Sequence, residues 1–149
     1  MTVRAANFSD IPDIVGIMED SHRSSRDAEL TTFDEIEAKQ LLVRCIQRHQ
    51  QNYMGSLVLV AERKGVVMGF VIGILDQVHP CLKELKVTDL LFMMLAGADP
   101  RDGRAMAQQL ILWGQNNPKV IKALLGTTDD MTDWERVGKM YEGVGLEQC

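Results

Sequence analysis

The chain has 149 residues, 46% of them hydrophobic and 25% charged, with a formal net charge of −5. That length fits one domain with a proper core, and that composition is the one of an ordinary folded protein rather than a disordered one. The negative charge, with no basic cluster to offset it, argues against nonspecific nucleic-acid binding, which relies on Lys and Arg to displace phosphate counterions. Three cysteines, Cys45, Cys81 and Cys149, show no C-x-x-C spacing, so neither a disulfide framework nor a zinc site is indicated. With no signal peptide and no apolar run of membrane-spanning length, this predicts a cytoplasmic chain without a membrane partner.

In chain order, Thr2 to Ala6 reads as a first strand, and Ser9 or Asp10 caps a helix carrying Ile11, Ile14, Ile17 and Met18 on one side. A polar link from Ser21 to Thr31 follows without a period. Thr32 and Glu35 form a capping-box pair before Ala38, Leu41, Leu42, Cys45 and Ile46, which predicts a second amphipathic helix. Leu57 to Glu62 and Val66 to Leu75 are strands joined by a tight turn at Lys64 and Gly65, the second apolar on both faces and so central in the sheet.

The stretch KVTDLLFMMLAGADPRDGRAMAQQLILW, Lys86 to Trp113, then gives a strand, a loop and a helix. A helix start offers backbone N–H groups without intrahelical partners and partial positive charge, and the small residues Gly103, Ala105 and Ala107 let an anion approach the backbone. If the strand is regular, Val87, Asp89, Leu91, Met93 and Leu95 share one face, which makes Asp89 a carboxylate among apolar neighbours. Val120 to Leu125 reads as a further strand. Thr132 with Glu135 and the spacing of Trp134, Val137, Met140, Tyr141 and Val144 predict a closing helix. His22, His49 and His79 have no metal-ligand spacing, so no metal is expected.

This layout, β-α-α-β-β-β-α-β-α with a phosphate-type loop after the fourth strand and a Tyr in the last helix, resembles the GNAT superfamily of acyl-CoA N-acyltransferases. The resemblance implies an α/β fold with a mixed, mostly antiparallel central sheet flanked by helices, in one domain over residues 1–149. Family members carry Arg or Gln, two residues, Gly, one residue, then Gly or Ala in the loop. Asp102, Ala105 and Ala107 fall at those places, with Leu110 at the usual apolar position. RVGKMYEGVGLEQ is similar to the family's closing helix through Tyr141, Gly145 and Leu146, while Trp134 falls roughly where members often carry Asn.

The resemblance implies transfer of an acyl group, most simply acetyl, from acetyl-CoA to a small-molecule or peptide amine. The segment Arg101, Asp102, Gly103, Arg104, Ala105, Met106 and Ala107 would hold the pyrophosphate, and Met93, Met94 and Leu95 the pantetheine. Asp89, with Glu84 as a second candidate, would accept the amine proton, and Tyr141 would protonate the departing thiolate. The acceptor would lie across His22 to Phe33 and the segment around His79, and the acidic surface mildly favours a cationic one. Asp102 in place of Arg or Gln, and an end at Cys149 before the usual further strands, point to an alternative: a catalytically inactive GNAT-like module for binding or assembly, forming a homo-oligomer through an exposed sheet edge.

Overall fold

The structure, a computed structural model, describes residues 2–49 and 55–126. Its elements are β1 (Thr2–Ala5), a 3-10 turn (Phe8–Asp10), α1 (Ile11–Arg23), α2 (Glu35–Gln47), β2 (Ser56–Arg63), β3 (Val66–Gln77), β4 (Leu85–Met94), α3 (Pro100–Gln115) and β5 (Val120–Leu124). The five strands lie in sequence order, antiparallel except for the parallel β4–β5 pair. The expected mixed, mostly antiparallel α/β order is thus present as far as β5. The closing helix of Thr132 to Val144, and Tyr141 with it, lies outside the described residues.

The β2–β3 hairpin turns through Lys64 and Gly65, whose φ angles of 52° and 78° are those of a tight hairpin turn matched to strand twist. Helices α1 and α2 cover one face of the sheet, where Ile14, Ile17, Met18 and Leu42 pack with Val58, Val60, Phe70 and Ile72. Helix α3 covers the other, with Met106, Ala107 and Leu110 on Leu59, Val71, Leu75, Leu85 and Val87. This second contact is close because two positions carry no side chain. A Cβ on Gly73 would lie 2.1 Å from Leu110 Cδ1, and one on Gly114 2.2 Å from Val87 Cγ2.

The caps differ in part from expectation. Asn7 caps the 3-10 turn, its Oδ1 accepting from Ser9 N–H at 2.9 Å while Asp10 Oδ2 accepts from Asn7 N–H at 2.9 Å; Asp10 stands at the N-cap of α1 as expected but makes no side-chain cap bond to it. Asp10 is committed elsewhere, its buried carboxylate taking two bonds from Arg4 at 2.8 and 2.9 Å, which hold it below the usual carboxylate range. Asp34, not Thr32, caps α2, accepting from Glu37 N–H at 3.0 Å. Thr31 in turn bonds His22, Nε2 to Oγ1 at 2.7 Å, which draws the α1–α2 link back onto α1.

Candidate active site

The site is set by a one-residue irregularity in β4. Along β3, Ile72 pairs with Leu91 and the next residue, Gly73, with Asp89, so Leu90 is the extra residue of a β-bulge. A regular strand would keep Val87, Asp89, Leu91, Met93 and Leu95 on one face. The bulge changes the phase instead. Leu85 and Val87 pack under α3, and so do Phe92 and Met94, while Leu91, Met93 and Leu95 pack on the α1–α2 side. Asp89 therefore stands on the α3 side, opposite Gly73, and parts company with Leu91 and Met93.

The bulge also marks where β4 and β5 separate. Their pairing runs Leu85↔Val120, Lys86↔Lys122, Val87↔Ala123 and Thr88↔Leu124, and goes no further. Beyond it Asp89 Oδ1 accepts from Gly126 N–H at 3.0 Å, which closes the apex of the opening. Among the described residues the outer edge of β4 from Leu90 to Met94 has no strand beside it. Leu95 N–H is taken by Met68 C=O at 2.8 Å. Backbone groups alternate between the two edges of a strand. Met94 thus faces the open side, whereas Met93 and Leu95 face β3. Of the three positions expected to meet an extended ligand through the backbone, only Met94 is turned to do so.

The segment Arg101 to Ala107 is not a loop. Asp99 and Pro100 start α3, Asp99 Oδ1 accepting from Arg101 N–H at 2.9 Å, so the expected anion loop shortens to Leu95–Asp99 and the rest is helix. Within that helix Asp102, Gly103, Met106 and Ala107 are buried against the sheet, and Arg101, Arg104 and Ala105 are turned outward. The small residues serve packing: a Cβ on Gly103 would lie 2.9 Å from Met94 Sδ. Asp102, fully buried, is bonded by Arg63 from β2, Nε to Oδ2 at 2.8 Å and Nη2 to Oδ1 at 3.0 Å. Arg63 Nη2 also reaches Asp99 Oδ2 at 3.0 Å, and Arg101 Nη2 reaches the same oxygen at 2.7 Å. Arg101, by side chain first and backbone second, holds the Asp99 carboxyl down at about 2. Two arginines thus converge on a carboxylate at the start of a helix.

Arg63 was not among the expected site residues, because nothing local in LVAERKG links it to a helix 39 residues on. The remaining candidates are placed as follows. Glu84 lies in the β3–β4 connection, at the ends of β4 and β5 far from the apex, where its C=O accepts from Val78 N–H at 3.1 Å. His49 Nε2 accepts from Val58 N–H at 3.1 Å, and burial lowers its pKa. Cys45 is buried and its thiol pKa is pushed up by that burial, while Cys81 is exposed. Among the described residues no group of three or more His, Cys, Asp or Glu is placed to hold a metal ion, and no helix is long and apolar enough to cross a membrane.

No protein-family model matches the sequence, and no curated protein matches it. Solved structures do resemble it. The tetramutant of the BH1408 protein from Bacillus halodurans superposes with a TM-score of 0.74 at 16% identity, over 99% of this chain and 94% of that one. Aminoglycoside N-acetyltransferase AAC(6')-Iy, in complex with CoA, gives 0.73 at 15% identity over 99% and 88%. A Trypanosoma brucei acetyltransferase gives 0.67 at 12% identity over 99% and 93%. That likeness, over nearly the whole of each chain, shows that the fold of this chain is GNAT-like.

Proposed function

We propose that the chain is an acyl-CoA-dependent N-acyltransferase, most simply one that moves acetyl from acetyl-CoA to a primary amine. The observation that carries this reading is the opening between β4 and β5 beyond Thr88, with the Met94 backbone along one side and the start of α3 beside its mouth. An extended amide-bearing arm such as pantetheine satisfies an open strand edge as a further strand would. The fold likeness to AAC(6')-Iy, whose structure is in complex with CoA, supports the same co-substrate.

In this reading Arg101 and Arg104, outward on the first turns of α3, take the pyrophosphate, while Asp102, Gly103, Met106 and Ala107 keep that helix seated and the small Ala105 leaves room between the two arginines. The thioester lies at the apex. The amine nitrogen attacks its carbonyl carbon, the C–N bond forms, the C–S bond breaks, and the nitrogen's proton passes to Asp89 through water at the apex. Tyr141 gives its proton to the leaving sulfur and regains one from solvent.

One observation favours the alternative of an inactive binding module: Asp99 already occupies the first N–H of α3 and engages Arg101. Calorimetric titration with acetyl-CoA tests the choice, beside Asp99→Asn. Binding by the parent, with CoA thiol released when an amine is added and that release cut by Tyr141→Phe, is the expected result. Binding by Asp99→Asn alone favours the module, and binding by neither ends the acyltransferase reading.

A further inference from the structure

At the apex the two faces of the sheet are unequal. The α3 face is closed by the close packing of Leu110 over Gly73 and of Gly114 over Val87. The opposite face of β4 and β5 carries Lys86, Thr88 and Leu90 on one strand and Lys122 and Leu124 on the other. The register makes Lys86 the partner of Lys122, and Thr88 that of Leu124. Leu90 is 44% exposed and Leu124 42%. Neither lysine forms an ion pair among the described residues. Asp76, the cross-strand neighbour of Lys86 on β3, turns its Oδ1 to its own chain, accepting from Gln77 N–H at 2.8 Å. In a chain of net charge −5, two paired lysines below two exposed leucines, with the Asp76 carboxylate beside Lys86 but not ion-paired to it, gather positive charge on this face. Lys83 and Lys119 extend it, lining with Glu84 a cleft of about 540 Å³ at the N-terminal ends of the same two strands.

We infer that the acyl acceptor is an amine with an apolar body and an anionic group at its far end, seated on this face with the amine at the apex and the anion on Lys86 and Lys122. The inference rests on the acyl-transfer reading for the position of the amine. With a rise of about 3.3 Å per residue, the lysine Cα atoms lie roughly 10–13 Å from the bulge, and the lysine stems shorten that span. An acceptor with its amine and carboxylate roughly 7–12 Å apart fits, with its methylenes against Leu90 and Leu124. This reverses the cationic preference that net charge suggests, because the field at a site is set by its nearest charges and more distant ones are screened.

The experiment compares ω-aminocarboxylates of five to nine carbons with the matching alkylamines and α,ω-diamines, read as CoA thiol release. It adds calorimetric binding of the N-acetylated aminocarboxylates without acetyl-CoA. The expected result is a kcat/KM about tenfold higher for an aminocarboxylate than for its alkylamine, lost in the Lys86→Ala/Lys122→Ala double variant, whose positions tolerate truncation because they are not buried. Transfer to alkylamines or diamines with no gain from the carboxylate overturns the inference and leaves the acyl-transfer reading standing. Lysine-dependent binding of the acetylated aminocarboxylate with no binding of acetyl-CoA upholds the anionic site and overturns the transfer reading. Absence of both overturns both.

Discussion

The two halves of β4 differ in one respect that decides what each can do. From Leu85 to Thr88 the strand has β3 on one edge and β5 on the other, so its backbone hydrogen bonds are used within the sheet. From Leu91 to Met94 its only strand neighbour among the described residues is β3. The first half is a wall and the second is a receptor for an extended chain, and a single inserted residue separates them. The difference teaches that a binding slot can be made by backbone pairing: the second half is apolar at every position where the first alternates with Lys86 and Thr88, yet it is the loss of a neighbouring strand that leaves its edge open.

Deletion of Leu90 breaks the comparison most sharply. It makes Asp89 and Leu91 consecutive against Gly73 and Ile72, so every other residue keeps its face while the strand straightens. The protein should fold, with circular dichroism unchanged, and acetyl-CoA binding by calorimetry should vanish. A deletion variant that binds as well as the parent sinks the assignment of the slot to the bulge.

The closed half is tested by Gly114→Ala. The new methyl meets the stiff, β-branched Val87, and the expected loss is about 1–3 kcal/mol in urea unfolding. Gly73→Ala should cost less although its clash is as close, because Leu110 meets it with the end of a more flexible side chain. The brace beside the slot is tested by Asp102→Ala, which strands no charge on Arg63, since that side chain is one-third exposed and keeps Asp99. A loss of about 1–2 kcal/mol is expected, read in the same unfolding curves.

The smallest effect lies far from the slot. Burial lowers the pKa of His49, whose ring nitrogen accepts a hydrogen bond from Val58 N–H. The unfolded chain therefore takes up this proton first as pH falls. The contribution is complete above the ordinary His value of about 6.5 and is lost progressively as pH falls below it. A His49→Phe variant should show a flatter dependence of stability between about pH 7.5 and 5, and an unchanged slope excludes His49 as the source.

The elements were legible in the sequence where local chemistry specifies them. Lys64–Gly65 between two apolar runs gives the hairpin, and the periods of Ile11 to Met18 and of Ala38 to Ile46 give the helices. The bulge was hidden because LLFMM is apolar at every position, so a change of phase leaves no mark on the hydrophobic pattern. The bonding caps were misplaced by a few residues, because several short polar side chains stand near each helix start and the one that bonds is chosen by backbone geometry. Arg63 was invisible for a different reason: its partners lie on another element, and a buried arginine–carboxylate pair has no sequence spacing to betray it. The helix begins earlier than the expected loop allows because Asp99 caps it and Pro100 opens its first turn.

The order of strands carries a kinetic consequence. β2, β3 and β4 are joined by short connections and can assemble by local steps, whereas β1 reaches the sheet only through β2, with Arg4 bonding Glu62 across 58 residues. The entropy of closing so long a loop is recovered only once β2 is already in place. β1 is thus the strand to zip on last and to fray first, and its amides should exchange with solvent sooner than those of Phe70 and Val71 at the centre of β3.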